Sequence, residues 1–212
     1  MAPTPNAQDA LDILRIPDNF QWYVIPLLLV VIYVYAVEAE KRDWKAIMAA
    51  VSFWGLDFFN EIWNSLVFHF TNYSAVWVEP GGTAYLILIG LNIETTFMFA
   101  IMGIVSTKMI PKDKNAKIFG KLPNRPVIAV VMAILCVIVE VFLNLAGALT
   151  WDYPFWNLSA PWLIFLVGYL PFWVVAFIVY DARSMKTSAK IMGTILLVDL
   201  ALVLIVMPIG WI

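Results

Sequence analysis

The chain has 212 residues, of which 63% are hydrophobic and only 13% charged. Apolar runs of about 20 residues, the length that crosses a bilayer as a helix, recur along it, so an integral membrane protein is predicted rather than a water-soluble domain. A formal net charge of −2 with no basic stripe leaves no footprint for nucleic acid, and a single cysteine, Cys136, allows no internal disulfide and argues against a structural zinc site.

Residues 1–20 are polar and lack the basic region and short apolar core of a cleaved signal peptide, so they are expected to remain as an extracytoplasmic segment. Within it, residues 6–15, "NAQDALDILR", predict a short amphipathic helix on the outer surface. Residues 21–212 predict a single all-α transmembrane bundle. Its six spans are expected near 21–39, 45–70, 83–108, 126–149, 161–181 and 189–211. Of the 13 Lys and Arg residues, all but Arg15 fall in "EKRDWK", "TKMIPKDKNAKIFGKLPNR" and "ARSMKTSAK". Alternation of six spans puts these three connections on one face, which the positive-inside rule makes cytoplasmic, and leaves both termini outside.

The outer loops, "TNYSAVWVEPGG" and "WDYPFWNLSAP", are rich in Trp and Tyr. They read either as an interfacial aromatic belt or as a lid over a lipid-facing pocket. Ser159 followed by Pro161 marks a helix start. The sequons at Asn72 and Asn157 carry meaning only in a eukaryotic secretory host. The membrane is accordingly the inner or plasma membrane of a bacterium, or the endoplasmic reticulum of a eukaryote.

Within the second span, "FWGLDFFNEIWNSLVFHF" places Asp57, Asn60, Glu61 and Asn64 at i, i+3, i+4 and i+7, one polar stripe with no Lys or Arg beside it. The third span offers Asn92, Glu94, Thr95 and Thr96, the fourth Cys136, Glu140 and Asn144, and the sixth Asp199. At about 1.5 Å per residue in a core about 30 Å thick, the five acids lie roughly 14–23 Å from the cytoplasmic boundary, in one layer. An ionisable side chain at such depth costs about 2.5 kcal/mol or more, so these carboxyls are expected to share an interior and to face function. Burial together with mutual repulsion favours keeping at least one of them protonated near neutrality, which is what a general acid requires. The alternative is polar glue between helices, worth only about 1 kcal/mol per contact.

His69, the only histidine, stands near the outer end of the second span, either relaying a proton or solvated at the interface. The Glu-x-x-His pairs of di-iron bundles, an aspartate-rich magnesium run, a phosphate-cradling loop and a dinucleotide fingerprint are all missing, so neither metal nor cofactor is expected. Aromatic residues crowd the same helices, among them Phe53, Trp54, Phe58, Phe59, Trp63, Phe97, Phe99, Phe165, Tyr169, Phe172 and Trp173. Their faces either serve as packing or stabilise a cation.

Midplane acids, abundant aromatics and no metal motif resemble the integral-membrane terpene cyclases of fungal meroterpenoid and indole-diterpene pathways and their bacterial relatives. The likeness covers spans two to six and is one of plan more than of letters. That resemblance implies an early acid and a late acid that protonate an epoxide or alkene on a prenylated substrate. The early one matches Glu61 in "NEIWN", and the late one Asp199 or Asp181. In that family the glutamate follows a tryptophan directly, whereas here Glu61 precedes Trp63, and seven spans are usual, so a seven-helix variant stays open.

The leading expectation is therefore an enzyme of lyase or isomerase type acting on a lipophilic isoprenoid in the bilayer. Glu61 is the expected donor, assisted by Asp57 or Asp199, with Glu94 and Glu140 in the same layer. Asn60, Asn64, Trp63, Asn92, Asn144, His69, Trp54 and Tyr169 are candidates for substrate contact. A proton- or cation-coupled transporter and an assembly subunit are the rival expectations.

Overall fold

The computed structural model describes residues 2–212. Helix α1 (Pro5–Ile13) starts behind Thr4, whose side chain accepts from the Ala7 amide, with proline in its first turn. Helix α2 (Val24–Glu40) is apolar nearly all round and buries only Val24 and Glu38. Arg42, at φ 57°, turns the chain into the 28-residue α3 (Trp44–Thr71), which Asp43 caps by accepting from Ala46. At about 1.5 Å per residue α3 is about 42 Å long, enough to cross a bilayer despite its acids.

The hairpin β1 (Leu86–Leu88) and β2 (Leu91–Asn92) then leads into α4 (Ile93–Met109), whose cap is Asn92. A second small hairpin, β3 (Lys117–Ile118) with β4 (Leu122–Pro123), precedes α5 (Asn124–Leu145). The next rod consists of α6 (Pro161–Leu163), a π-helical segment over Ile164–Tyr169, and α7 (Leu170–Tyr180). Helix α8 (Met185–Val206) closes the chain behind a Ser184 cap.

Helix α3 forms the axis, packed against α4, α7 and α8, while α2 lies outside α4 and α5 lies against α7. Small residues set the closest crossings. A Cβ on Gly103 would come within 2.6 Å of the Ala50 Cα, and one on Gly55 within 2.9 Å of the Ile195 side chain. The centre is aromatic: Phe53 meets Phe99, Phe172 and Trp173 at centroid separations of 5.8, 5.2 and 5.3 Å.

Three helical segments, Asn124–Leu145, Pro161–Tyr180 and Met185–Val206, are long and apolar enough to cross a membrane. The other three expected spans correspond to α2, α3 and α4: α2 and α4 have 17 residues each, and α3 carries the acid stripe. Three expected boundaries need correction. Residues 83–92 are not helical, because the chain makes a buried hairpin around Ile89 and Gly90 before Asn92 caps α4. The fourth span stops at Leu145, ahead of Gly147 at φ 72°, and the last stops at Val206, ahead of Gly210 at φ 72°.

The N-terminal segment packs against the bundle. Ala7 and Ala10 of α1 are fully buried against Ala75, Val78, Leu86 and Ile89 of the α3–α4 connection. At this end Asp152 gathers three parts of the chain, accepting from the Thr4 hydroxyl, the Asn6 amide and the Ser74 hydroxyl. At the opposite end Arg125 holds Asp181 through two guanidinium nitrogens at 2.8 and 2.9 Å, and Lys108 bridges Glu38 and Asp43.

Candidate functional site

Past Asn72 the chain does not leave the bundle but folds back along α3. The buried Asn64 side chain holds it there: its Oδ1 accepts from the Val76 and Trp77 amides at 2.7 and 3.2 Å, and its Nδ2 donates to the Trp77 carbonyl at 2.8 Å. Buried non-helical backbone is tolerated where protein surrounds it and supplies the hydrogen bonds. One turn below, the Trp77 indole N–H donates to Glu61 Oε1 at 2.7 Å. Gly90 lets the hairpin lie against this junction, since a Cβ there would come within 2.5 Å of Asn64 Nδ2 and 2.6 Å of the Trp77 ring.

The α5–α6 connection closes the other side. Val78 and Thr150 exchange backbone hydrogen bonds at 3.0 and 2.8 Å, the Trp151 indole donates to Glu140 Oε1 at 3.0 Å, and the Trp156 ring lies 5.5 Å from that of Trp77. The two aromatic loops thus form one cover over the bundle. Beneath it is a cavity of about 360 Å³.

The third wall depends on Pro171. Its missing N–H and its ring are incompatible with a regular turn, and the chain widens into the π segment immediately before it, bringing Gly168 and Tyr169 to the cavity. Tyr169 stands beside Glu140.

Four of the expected acids, Asp57, Glu61, Glu94 and Glu140, line this cavity, as do Asn60, Asn92 and Tyr169. Their hydrogen bonds separate their roles. Glu94 is occupied by the Tyr23 hydroxyl, the Thr83 hydroxyl and the Ala84 amide, and it clamps the loop to the first turn of α4. Asp57 Oδ2 and Glu61 Oε2 are buried without a hydrogen-bond partner. Glu79, which was not among the expected residues, joins them. It accepts from the Thr95 hydroxyl at 3.1 Å through Oε1, while Oε2 is unpartnered. Burial pushes the Glu79 carboxyl up to about 8, against the hydrogen bond from Thr95.

Other expected residues are elsewhere. Asp199 is buried with both oxygens unpartnered, but it meets α3 at Gly55, about 200° around the helix from Asp57 and away from the cavity. Asn64 is the loop clip just described, and Asn144 donates to the Leu149 carbonyl at the end of α5. Trp63 is 40% exposed and does not line the cavity, its ring lying 5.9 Å from that of Trp77. Trp54 packs edge-on against Phe58, and His69 stacks on Trp211.

Sequence reasoning also passed over Trp77 and Trp156. The available signal was the lone acid of "AVWVEP", an otherwise apolar run unsuited to a solvated loop. No Lys, Arg or His lines the cavity, and its remaining wall includes Phe99, Phe172, Met98 and Leu143. Met98 on α4 and Leu143 on α5 are each 39% exposed, and α4 and α5 make no extended contact, so the cavity has a lateral apolar rim between them.

The chain is 55% identical over 203 residues to an "Uncharacterized protein" of Archaeoglobus fulgidus, covering 96% of both chains. A shorter "Uncharacterized protein" of the same organism is 47% identical over 53 residues, covering 24% of this chain and 95% of its own length. No solved structure matches. A family model described as "Uncharacterized membrane protein family" matches residues 4–208, and the chain belongs to that membrane protein family.

Proposed function

We propose that this protein is a membrane-embedded enzyme that uses a buried carboxylic acid to protonate a lipophilic isoprenoid, leading to cyclisation or isomerisation. In this reading α2, α3 and α4 cross the bilayer together with the three more apolar rods, six spans with both termini extracytoplasmic. The observation that carries it is the set of unpartnered oxygens of Asp57, Glu61 and Glu79 inside a cavity otherwise walled by aromatic and aliphatic groups. A substrate dissolved in the bilayer enters past Met98 and Leu143.

Glu61 suits the donor role because it lines the cavity, the Trp77 indole fixes one of its oxygens and Oε2 is left without a partner. The proton passes from Oε2 to an alkene carbon or an epoxide oxygen, and the positive charge develops on carbon. Trp77, Phe99, Trp156 and Phe172 line the cavity, and aromatic quadrupoles of this kind lower the energy of that cation. The covering loops keep water from capturing it. Loss of a proton to a second carboxylate, Asp57 or Glu140, returns the site to its starting charge. Polar glue between helices accounts poorly for these acids, since the free oxygens reach no neighbouring helix.

The test compares lipids extracted from purified wild type and Glu61→Gln by mass spectrometry. A discrete isoprenoid that accumulates in the variant, and is found isomerised or cyclised in wild type, is the expected result. Equal product from a correctly folded variant overturns the assignment. The absence of any basic side chain among the lining groups favours a second reading, a proton- or cation-coupled transporter. Ion flux in proteoliposomes, abolished by Glu61→Gln without any change in lipid composition, would select it.

A further inference from the structure

A second cavity, of about 240 Å³, opens at the outer end of the bundle between α1, the end of α3 and the chain's last residues. Its polar lining is opposite in character to that of the acid cavity. Arg15, His69, Ser65 and Asn72 line it with no Asp or Glu side chain, and Ile212, whose backbone carboxylate forms no ion pair with Arg15, lines it too. Arg15 is the sole Lys or Arg outside the three basic connections, and among the described residues it enters no ion pair.

The chain holds Arg15 there at some cost. Its φ is 55°, a left-handed conformation uncommon for a residue other than glycine, and its amide donates to the Leu86 carbonyl at 3.0 Å to fix the turn. Arg15 Nε is buried without a partner, and so is the hydroxyl of Ser65, whose residue is 4% exposed. Two unmatched donors in one cavity, one of them on a guanidinium, suit an oxyanion with several acceptor atoms. Trp211 and Phe70, 36% and 67% exposed beside His69, give the rim the aromatic character of a membrane interface.

We propose that this cavity is a phosphate site that binds a phosphate-bearing lipid headgroup, with Arg15 as the charged anchor and Ser65 and His69 as further donors. Arg15 supplies a planar fork to two phosphate oxygens and Ser65 donates from the helix α3 side. Occupation ties α1 to the end of α3, on the far side of the hairpin from the acid cavity.

The experiment uses the full chain in a phosphate-free maltoside detergent, with native mass spectrometry as readout. Phosphatidylglycerol, diacylglycerol and inorganic phosphate are added in separate arms, to wild type, Arg15→Gln and Ser65→Ala. Wild type is expected to retain phosphatidylglycerol and not diacylglycerol, with binding about tenfold weaker in Arg15→Gln and measurably weaker in Ser65→Ala. Displacement of the lipid by inorganic phosphate identifies the phosphate group itself as the recognised element, whereas binding of inorganic phosphate without the lipid makes the source a free anion. Should Arg15→Gln fail to fold, Ser65→Ala alone decides. Wild-type affinity in a folded variant, or equal retention of diacylglycerol, overturns the proposal.

Discussion

Glu79 and Glu94 lie on the same cavity in opposite circumstances. Glu94 accepts three hydrogen bonds at the first turn of α4, where a helix N-terminus also favours negative charge. Glu79 Oε1 accepts from the Thr95 hydroxyl while Oε2 is unpartnered, and burial lifts its pKa from 4.5 to about 8 against the polar contacts with Thr95 and the Asn92 backbone. Below pH 4.5 it is protonated in both the folded and the unfolded chain. Between 4.5 and 8 the folded chain keeps a proton that the unfolded chain releases, so the Glu79 contribution to stability falls as pH rises through that window. Glu79→Gln lacks this titration. Its thermal midpoint relative to wild type is expected to rise from pH 5 to pH 8.5, by an amount corresponding to a few kcal/mol at the upper end. Paired melting curves in one detergent check this, and a difference that stays constant with pH removes Glu79 from the buried acids.

At the scale of elements, the π segment before Pro171 is what aims a helix wall at the acids. In Pro171→Ala the missing N–H is restored and the clash with the preceding turn disappears, so Ile164–Tyr169 can close into α-helix. Removing the extra residue of the wide turn rotates Gly168 and Tyr169 away from Glu140. Product formation should fall at least tenfold while thermal stability holds or improves, and a comparison of turnover with melting temperature separates this from simple unfolding. The six rods and the stripe Asp57, Asn60, Glu61, Asn64 were legible in the sequence because helical periodicity and charge are local properties. What decides whether Asp57 or Asp199 faces the cavity is the azimuth of each helix about its neighbour, set by crossings such as Gly103 on Ala50 and Gly55 on Ile195. Those crossings leave no trace in hydropathy. Glu79 and Trp77 escaped for a related reason: a loop between two helices is expected at the surface, and only the Asn64 amide shows that this one turns inward.

At the scale of the whole molecule the two ends differ in chemistry. One end joins α2, α3, α4, α5 and α7 through Glu38, Asp43, Lys108, Arg125 and Asp181, and carries the exposed basic connections. The other is the cover built on Asp152, in which the aromatic loops meet α1. In the proposed six-span topology the positive-inside rule puts the first end in the cytoplasm, and the covered cavity then faces outward. Because Cys136 is the sole cysteine and is buried, single new cysteines can report each face without a competing exposed thiol. Arg42→Cys, Phe119→Cys and Arg183→Cys probe the basic end, and Asp9→Cys and Phe155→Cys probe the cover. All five positions are exposed. In intact cells an impermeant thiol reagent is expected to label Asp9→Cys and Phe155→Cys, and to reach the other three only after permeabilisation. If α2 failed to cross, Asp9→Cys and Arg42→Cys would label from the same side. If α3 and α4 also lay outside the bilayer, Phe119→Cys would still share a side with Asp9→Cys. The acid stripe on α3 would then sit in water, and the case for intramembrane proton chemistry would fall with it. Opposite labelling of Asp9→Cys and Arg42→Cys fixes α2 as membrane-crossing, and that of Phe119→Cys and Phe155→Cys fixes α5; α3 and α4 are decided by Thr71→Cys, at the exposed end of α3, whose labelling from the side of Asp9→Cys and opposite to Arg42→Cys and Phe119→Cys places their carboxyls at a depth where a lipid-soluble substrate can meet them.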